Sequence, residues 1–363
     1  MKIAIIGSRG IPNRYGGFEE LAEQLGQILQ ARGHEVLVFN PHHHPYNSQI
    51  YKGVQIVKRY DPRWLGSFGQ FIYDFGSILS CRKIKPDIIL QLGYTSSAIW
   101  YWLLPKKSKV LTNMDGMEWK RSKYGGLTKK FLNFSEFLAA RNSHVLIADH
   151  PAIQEYYNQH YLNQTVYVPY GAEVPVTFDK QVLSELGLKT RNYYLVICRM
   201  EPENHIEMVL EGYKKSGVDA PLIIVGNIDN KHGKYLANKY GHQPSILFIE
   251  GIYEKRIVHA LRHFSTMYFH GHSVGGTNPS LLEAMACGAH IAAHRNEFNA
   301  GVLGKGADYF ENADEVCEIL LQETNLESQK NRKKRNLSAI RTRYNWRIVA
   351  EQYEITMQLA LLR

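Results

Sequence analysis

An α/β chain of two consecutive Rossmann-like domains is the fold class this sequence predicts, and three observations lead there. At 363 residues it exceeds what one hydrophobic core usually covers. Short uninterrupted apolar runs, the mark of strands buried on both faces of a parallel sheet, alternate with amphipathic helical stretches. Each half opens on a strand that ends in a polar or glycine-rich loop, where open parallel sheets hold their ligands.

Residues 2–6 (KIAII) read as a buried strand and 7–16 as a loop. Phe18 to Arg32 read as a helix with Leu21, Leu25, Ile28 and Leu29 on one face. Residues 35–40 (EVLVFN) are the next strand, so a right-handed βαβ unit opens the chain. Its glycines are not a dinucleotide fingerprint, because Gly7-x-x-Gly10 lacks the G-x-G-x-x-G spacing and Gly16-Gly17 come directly before the helix. Their amides suit a phosphate or sugar at the helix start, or a tight loop-to-helix junction. Strands follow at 54–58, 87–92 and 110–113, with a helix over 71–81. The third delivers Asp115 to its C-terminal end, as a ligand contact or as an ordinary turn aspartate. Strands at 143–149 and 165–168 complete an N-terminal domain over 1–171, closed by Pro169-Tyr170-Gly171.

The second series fills 172–345. Its first strand, 194–198, runs into Arg199-Met200-Glu201-Pro202-Glu203-Asn204, and helices over 206–215 and 257–264 alternate with strands at 222–225, 246–249 and 267–270. A last short strand is expected at 291–293. From Asn336 to Arg363 the tail reads as helical, with Ile340, Trp346, Ile348, Val349, Tyr353 and Met357 as apolar contacts. Its part over 346–363 is expected to cross back to the N-terminal domain, and the two domains to face each other across a cleft that takes the substrates.

The densest chemistry lies in 270–293, HGHSVGGTNPSLLEAMACGAHIAA. Gly275, Gly276 and Thr277 lead to Asn278 as N-cap and Pro279 in the first turn, with Gly288 past the end of a helix over 279–287. Such a junction presents backbone N–H groups and a positive dipole end to an anion. Glu283, one turn in, suits a ribose hydroxyl pair, or a capping box with Ser280 as the cap.

Composition narrows the classes. Apolar residues are plentiful and no low-complexity tract appears, which excludes a disordered chain. Cys81, Cys198, Cys287 and Cys317 form no CxxC pair, so neither a disulfide framework nor a zinc site is signalled and a reducing cytoplasm fits. The opening apolar run is too short for a signal peptide, and no window approaches a membrane span. The net charge of +9 favours an anionic partner: nucleic acid, a phosphorylated substrate or an acidic membrane surface. Nucleic acid has only that charge behind it, with no interleaved recognition motif. His42-His43-His44 cannot converge on one ion and show no acidic partner, so no metal is assigned. Lys106-Lys107-Ser108-Lys109, following Trp100 to Pro105, together with Lys120-Arg121-Ser122-Lys123 and Lys129-Lys130, reads equally as a membrane-surface patch or as solvated loops. The run 331–335 (NRKKR) reads as solvated surface.

Four stretches carry a family resemblance: Gly16-Gly17-Phe18-Glu19, Cys198 to Glu203, Ile249-Glu250-Gly251, and Pro279 to Gly288. On these the chain resembles the family 4 glycosyltransferases of the GT-B fold over nearly its whole length. The resemblance implies a retaining, metal-independent sugar transfer without cofactor, the nucleotide-sugar donor held mainly by the C-terminal domain and the acceptor by the N-terminal one. Carried over, Glu283 binds the donor ribose, Arg199 the diphosphate, and Gly16, Gly17, Asn204, His205, Gly276, Thr277 and Asn278 complete the donor site. Asp115 and Arg199 are the catalytic candidates, and the leaving diphosphate is expected to help deprotonate the acceptor in a front-face displacement. Three departures stand out: Gly275 replaces the first glutamate of the paired-glutamate motif, Asn204 a lysine, and Asp115 a histidine. With the opening MKIAIIGSRGIPNRYGGFEELAEQL and NMDGMEWKRSKYGG, they resemble a bacterial subgroup of rhamnosyltransferases of polysaccharide assembly. That implies dTDP-L-rhamnose as donor and a lipid-linked saccharide as acceptor, on the cytoplasmic face of the membrane. A transferase using another UDP-, dTDP- or GDP-sugar, a sugar-nucleotide epimerase of the same fold and a non-catalytic nucleotide-binding protein remain the alternatives.

Overall fold

The computed structural model describes residues 1–120, 124–162, 164–323 and 325–362. The chain forms two compact units, Met1–Gly171 with Trp346–Arg363, and Ala172–Asn345.

In the first unit β1 (Lys2–Ile6), α1 (Gly17–Ala31), β2 (Glu35–Pro41), β3 (Ile50–Tyr51), β4 (Val54–Arg59), α2 (Gly69–Ile84), β5 (Ile88–Leu92), β6 (Lys109–Asn113), α3 (Gly126–Asn142), β7 (Val145–Ala148), α4 (Pro151–His160) and β8 (Thr165–Tyr167) follow in order. Their sheet runs β3-β4-β2-β1-β5-β6-β7-β8, parallel except for the β3–β4 hairpin. Ile3, Ala4, Ile5 and Ile6 are all fully buried, which is why β1 shows no polar alternation.

The second unit holds α5 (Gln181–Glu185), β9 (Tyr194–Ile197), α6 (Ile206–Ser216), β10 (Leu222–Val225), α7 (Lys231–Tyr240), β11 (Ile246–Ile249), α8 (Lys255–Phe264), β12 (Met267–His270), α9 (Pro279–Ala286), β13 (Ile291–His294), α10 (Glu297–Leu303), β14 (Asp308–Phe310), α11 (Ala313–Leu321) and α12 (Leu326–Thr342). Its sheet is all parallel in the order β11-β10-β9-β12-β13-β14. The helices α7, α9, α10, α11 and α12 each start at an asparagine whose side chain accepts a first-turn N–H, satisfying donors the helix cannot.

One expectation needs correction. The strand at 291–294 is not the last, because residues 308–310 (DYF) add an edge strand too short to show periodicity. The helical tail divides between Thr342 and Trp346: α12 ends at Thr342 in the second unit, and α13 (Trp346–Leu361) belongs to the first. There α13 packs on α1, with Glu354 accepting from Arg32 at 2.5 Å and lying 2.7 Å from the His34 ring nitrogen. A Cβ on Gly171 would sit 2.5 Å from the Trp346 ring, so only glycine lets the chain pass beneath α13.

Both sheets reverse strand order at one point, between β1 and β5 and between β9 and β12. Loops diverge there, leaving a crevice at the C-terminal strand ends.

Candidate functional site

In the second unit the crevice is formed by the loop after β9, which carries Arg199, Asn204 and His205, and the loop after β12, which leads into α9. A Cβ on Gly271 would lie 2.0 Å from the Asn204 carbonyl oxygen, so glycine permits the two loops to touch. Hydrogen bonds clasp them: Ser273 N–H donates to the Glu203 carbonyl at 3.0 Å, and the His205 Nε2 lies 3.0 Å from Ser273 Oγ. Asn204 is buried, its Nδ2 donating to the Arg199 carbonyl at 2.6 Å and its Oδ1 lying 2.7 Å from His272 Nδ1. Its amide therefore points into the protein and braces Arg199 against His272. Arg199 itself is exposed, and no ion pair among the described residues holds its guanidinium, so it is not spent on Glu201 or Glu203.

The α9 junction follows the sequence pattern. Asn278 is the N-cap, its side chain accepting from Ser280 N at 2.9 Å, and Pro279 needs no partner. At the other end Gly288 (φ 62°) and Ala289 donate to the carbonyls of Met285 and Ala284, a Schellman closure. Leu281 and Leu282 donate to the Asn278 carbonyl, so the helix satisfies its own first turn. The amides left open are thus in the preceding loop: those of Gly276 and Asn278 donate to no other described residue.

Glu283 makes no capping box. Its carboxylate pairs with Arg262 of α8, a guanidinium only 2% exposed that also donates to Ser280 Oγ at 2.8 Å. The Arg262 Nε finds no partner among the described residues, so Glu283 is the anion that compensates a buried charge. Sequence reasoning missed Arg262, which looks like one more basic residue in the last turn of α8.

Gly275 adopts φ +119°, and a Cβ there would meet His272 Nε2 at 3.3 Å. Where the resemblance leads one to expect a carboxylate, the structure puts an imidazole. His272 belongs to a histidine group that sequence reasoning did not assemble: His205 stacks on His294 at 4.1 Å, and His270 is buried with no partner for Nε2 among the described residues. Burial lowers the His205 and His270 rings and brings His294 down to about 4, so these three are neutral near pH 7.

In the first unit Gly16 is the extended residue before α1, without side-chain cap, and Gly17 is its first residue. Glu19 and Glu20 occupy the first turn and are buried. The loop folds back on them, Arg9 N–H donating to Glu19 at 2.5 Å and Asn13 Nδ2 to Glu20 at 3.0 Å, and burial raises the Glu19 carboxyl. Asp115 lies past β6 at φ +54°, its N–H donating to Asn113 Oδ1 at 3.0 Å. Asn113 in turn donates to the Tyr353 hydroxyl of α13 at 2.9 Å. Among the described residues five other than glycine have positive φ: Lys52, Lys85 and Arg191 at turns and a helix end, and Asp115 and His205 at the two strand-end loops. Strain of this kind gathers at functional positions. Tyr170, buried nearby, is pushed well above the ordinary phenol by burial and then by the charges of Asp115 and Asp149. The strand end Asp149-His150, unremarked in the sequence, thus joins the same edge.

The remaining expectations resolve simply. His43 does have an acidic neighbour, Asp61 at 3.8 Å, which also pairs with Arg9 at 3.1 Å. Among the described residues no cluster of His, Cys, Asp or Glu is arranged to hold a metal ion. The run 331–335 lies on α12, where Arg332 pairs with Asp308 and Lys333 covers Gly288. Residues 121–123 of the basic stretch lie outside the described residues. No described helix is long and apolar enough to cross a membrane, and all four cysteines are free.

Comparison with known proteins gives the class. Residues 180–334 match the family described as glycosyl transferases group 1, and residues 1–173 match a domain of unknown function, DUF1972. No curated protein matches the sequence. Among solved structures, the sucrose-phosphate synthase of Thermosynechococcus elongatus superposes with a TM-score of 0.81 at 16% identity, over 99% of each chain. Anabaena HepE in complex with UDP-glucose gives 0.75 at 13% identity, over 98% of this chain and 99% of that one. A glycosyltransferase from Rickettsia africae gives 0.69 at 12%, over 99% and 98%. The fold is GT-B. The C-terminal unit is thus similar to the glycosyl transferases of group 1, and the N-terminal unit to DUF1972.

Proposed function

We propose that the protein is a retaining, metal-independent transferase that moves L-rhamnose from dTDP-L-rhamnose to a lipid-linked saccharide in cell-surface polysaccharide assembly, at the cytoplasmic side of the membrane. The observation that carries the donor site is the pairing of an uncommitted, exposed Arg199 with the α9 junction, one turn above a Glu283 held by Arg262. Glu283 turns its remaining oxygen to the ribose, while Arg199 and the amides of Gly276, Thr277 and Asn278 take the diphosphate. Charge builds on that diphosphate as the glycosidic bond breaks, and donors already in place stabilise it without reorganising. Asn204 and His205 act by fixing the loop that carries Arg199. Gly16 and Gly17 offer backbone amides to the donor from the N-terminal unit.

Gly275 leaves the sugar pocket without its usual carboxylate, and His272 takes that ground as a hydrogen-bonding group. A 6-deoxy sugar, with no hydroxyl at C6, asks for fewer polar contacts, which favours rhamnose. Without a carboxylate nucleophile, retention proceeds by front-face displacement, the acceptor proton passing to the leaving diphosphate while Asp115 binds the acceptor hydroxyl, or passing instead to Asp115 as base. A UDP-sugar is the second reading, because HepE is a fold neighbour solved with UDP-glucose. Transfer from a panel of dTDP-, UDP- and GDP-sugars to a lipid-linked monosaccharide tests both: turnover of dTDP-L-rhamnose alone supports the first, turnover of a UDP-sugar alone the second, and inertness toward all refutes the transferase reading.

A further inference from the structure

One face of the N-terminal unit inverts the usual rule for a surface. Leu127, Phe131 and Phe134 fall at i, i+4 and i+7 of α3, the stripe a helix normally turns to a core. Here they face out, Leu127 86% and Phe134 54% exposed, while Leu132, Ser135, Glu136 and Ala139 form the buried side. Trp64 (79%) and Phe68 (72%) project from the 3-10 turn Arg63–Phe68 before α2, and Trp102 (56%) from the turn Ala98–Leu103. Contacts join them into one surface. The Phe71 ring lies 6.0 Å from Phe68 and 5.8 Å from Phe131, Trp100 Nε1–H donates to the Phe71 carbonyl at 3.0 Å, and Trp100 stacks on Trp102 at 6.1 Å.

Charge on this face has one sign. The two turns, α2 and α3 contain only two carboxylates, Asp74 and Glu136, and both are buried. Asp74 is turned inward by Ser96 and Gln70, and Glu136 by the hydroxyls of Tyr94, Tyr156, Tyr157 and Tyr161 and the indole N–H of Trp119. Arg63, Lys106, Lys107, Lys130 and Arg141 are exposed around the aromatic rings. Scattered exposed apolar residues are ordinary, but a ring-lined patch with a cationic rim and no exposed acid on these turns and helices has the composition of an interfacial surface.

We infer that this face docks the protein on an anionic lipid bilayer, the aromatic rings entering the headgroup boundary and the lysines and arginines meeting lipid phosphates. A second copy is the poorer occupant, because a two-fold contact would press the cationic rim against itself. The inference needs no sugar donor or acceptor, so it stands or falls apart from the transfer reaction. The test is co-sedimentation with vesicles of phosphatidylcholine alone and of phosphatidylcholine mixed with phosphatidylglycerol. The full chain is expected to bind only the mixed vesicles and to be released by salt. The Trp64→Ser, Phe68→Ser, Phe134→Ser triple variant is expected to lose at least about tenfold in partition with unchanged circular dichroism and melting, since all three side chains are exposed. A Lys106→Glu, Lys107→Glu, Lys130→Glu variant should abolish the dependence on phosphatidylglycerol. Absence of binding, equal binding to neutral vesicles, or full binding by the triple variant would overturn the inference. So would a concentration-dependent dimer that the triple variant dissolves, which would give the face to a second copy.

Discussion

Two glycine-fed helix starts, one in each unit, look alike in sequence and diverge in charge. At α9 the cap is the neutral Asn278, the first turn holds no acid, and the helix's own carboxylate, Glu283, is matched by buried Arg262. At α1 the cap position is Gly16 without a side chain, and two buried carboxylates, Glu19 and Glu20, fill the first turn. The positive helix end at α1 is thus already answered by the protein's own anions, whereas at α9 it is left for a ligand. On the proposed reading the α1 junction therefore suits sugar hydroxyls and the α9 junction a diphosphate.

The sharpest way to break that contrast is to remove Glu283. Glu283→Ala strands the Arg262 guanidinium in the interior and, on the proposed reading, removes the donor's ribose contact, so donor affinity should fall by on the order of a hundredfold and the C-terminal unit should lose roughly 2–3 kcal/mol, the pair being partly solvated at its glutamate end. Calorimetric donor titration and denaturant unfolding measure the two losses. Adding Arg262→Met to Glu283→Gln should restore much of the stability but none of the affinity. If affinity returned as well, Glu283 would be structural only.

Next come the two exposed or half-exposed site residues. Arg199→Ala should leave unfolding within about 0.5 kcal/mol of the parent, because nothing among the described residues pairs with it, while donor turnover falls roughly 10²- to 10³-fold. A loss of stability without a loss of turnover would return Arg199 to a structural role. Asp115→Asn should slow transfer by about 10²-fold or more if the carboxylate is the base, and full transfer by that variant excludes the role. Asp115→Gly relieves the backbone at φ +54°, so it should gain about 1 kcal/mol while losing transfer, the mark of strain kept for function.

How much of this was legible in the sequence follows from the range of each interaction. The β1 and β12 strands, the Asn278-Pro279 start and the Gly288 stop are local, and they appear where residue type and spacing put them. Arg262 was not legible, because its partner lies 21 residues away on another helix and only the packing of α8 against α9 joins them. The same holds for Glu136, whose five hydrogen-bond donors come from three separate segments. His272 escaped notice because the sequence shows that Gly275 lacks a side chain but not what fills the space.

The smallest expected effect sets the two units against each other directly. Burial raises the Asp74 carboxyl to about 7 from the ordinary 3.8, so between those values the folded N-terminal unit binds more protons than the unfolded chain, and its stability falls as pH rises. Burial lowers the His294 ring to about 4 from 6.5, so between those values the unfolded chain binds more protons, and the C-terminal unit loses stability as pH falls. Acidification from pH 7 toward 4 therefore works in opposite directions on the two units through these groups. All five tryptophans, Trp64, Trp100, Trp102, Trp119 and Trp346, lie in the N-terminal unit, so their fluorescence reports its melting alone while far-ultraviolet circular dichroism reports both. Asp74→Asn should raise the fluorescence-detected midpoint at pH 8 and leave it nearly unchanged at pH 4. His294→Gln should flatten only the acid-side fall seen by circular dichroism. A parallel response of both signals in either variant would mean that the units unfold as one, and the contrast between them would not extend to stability.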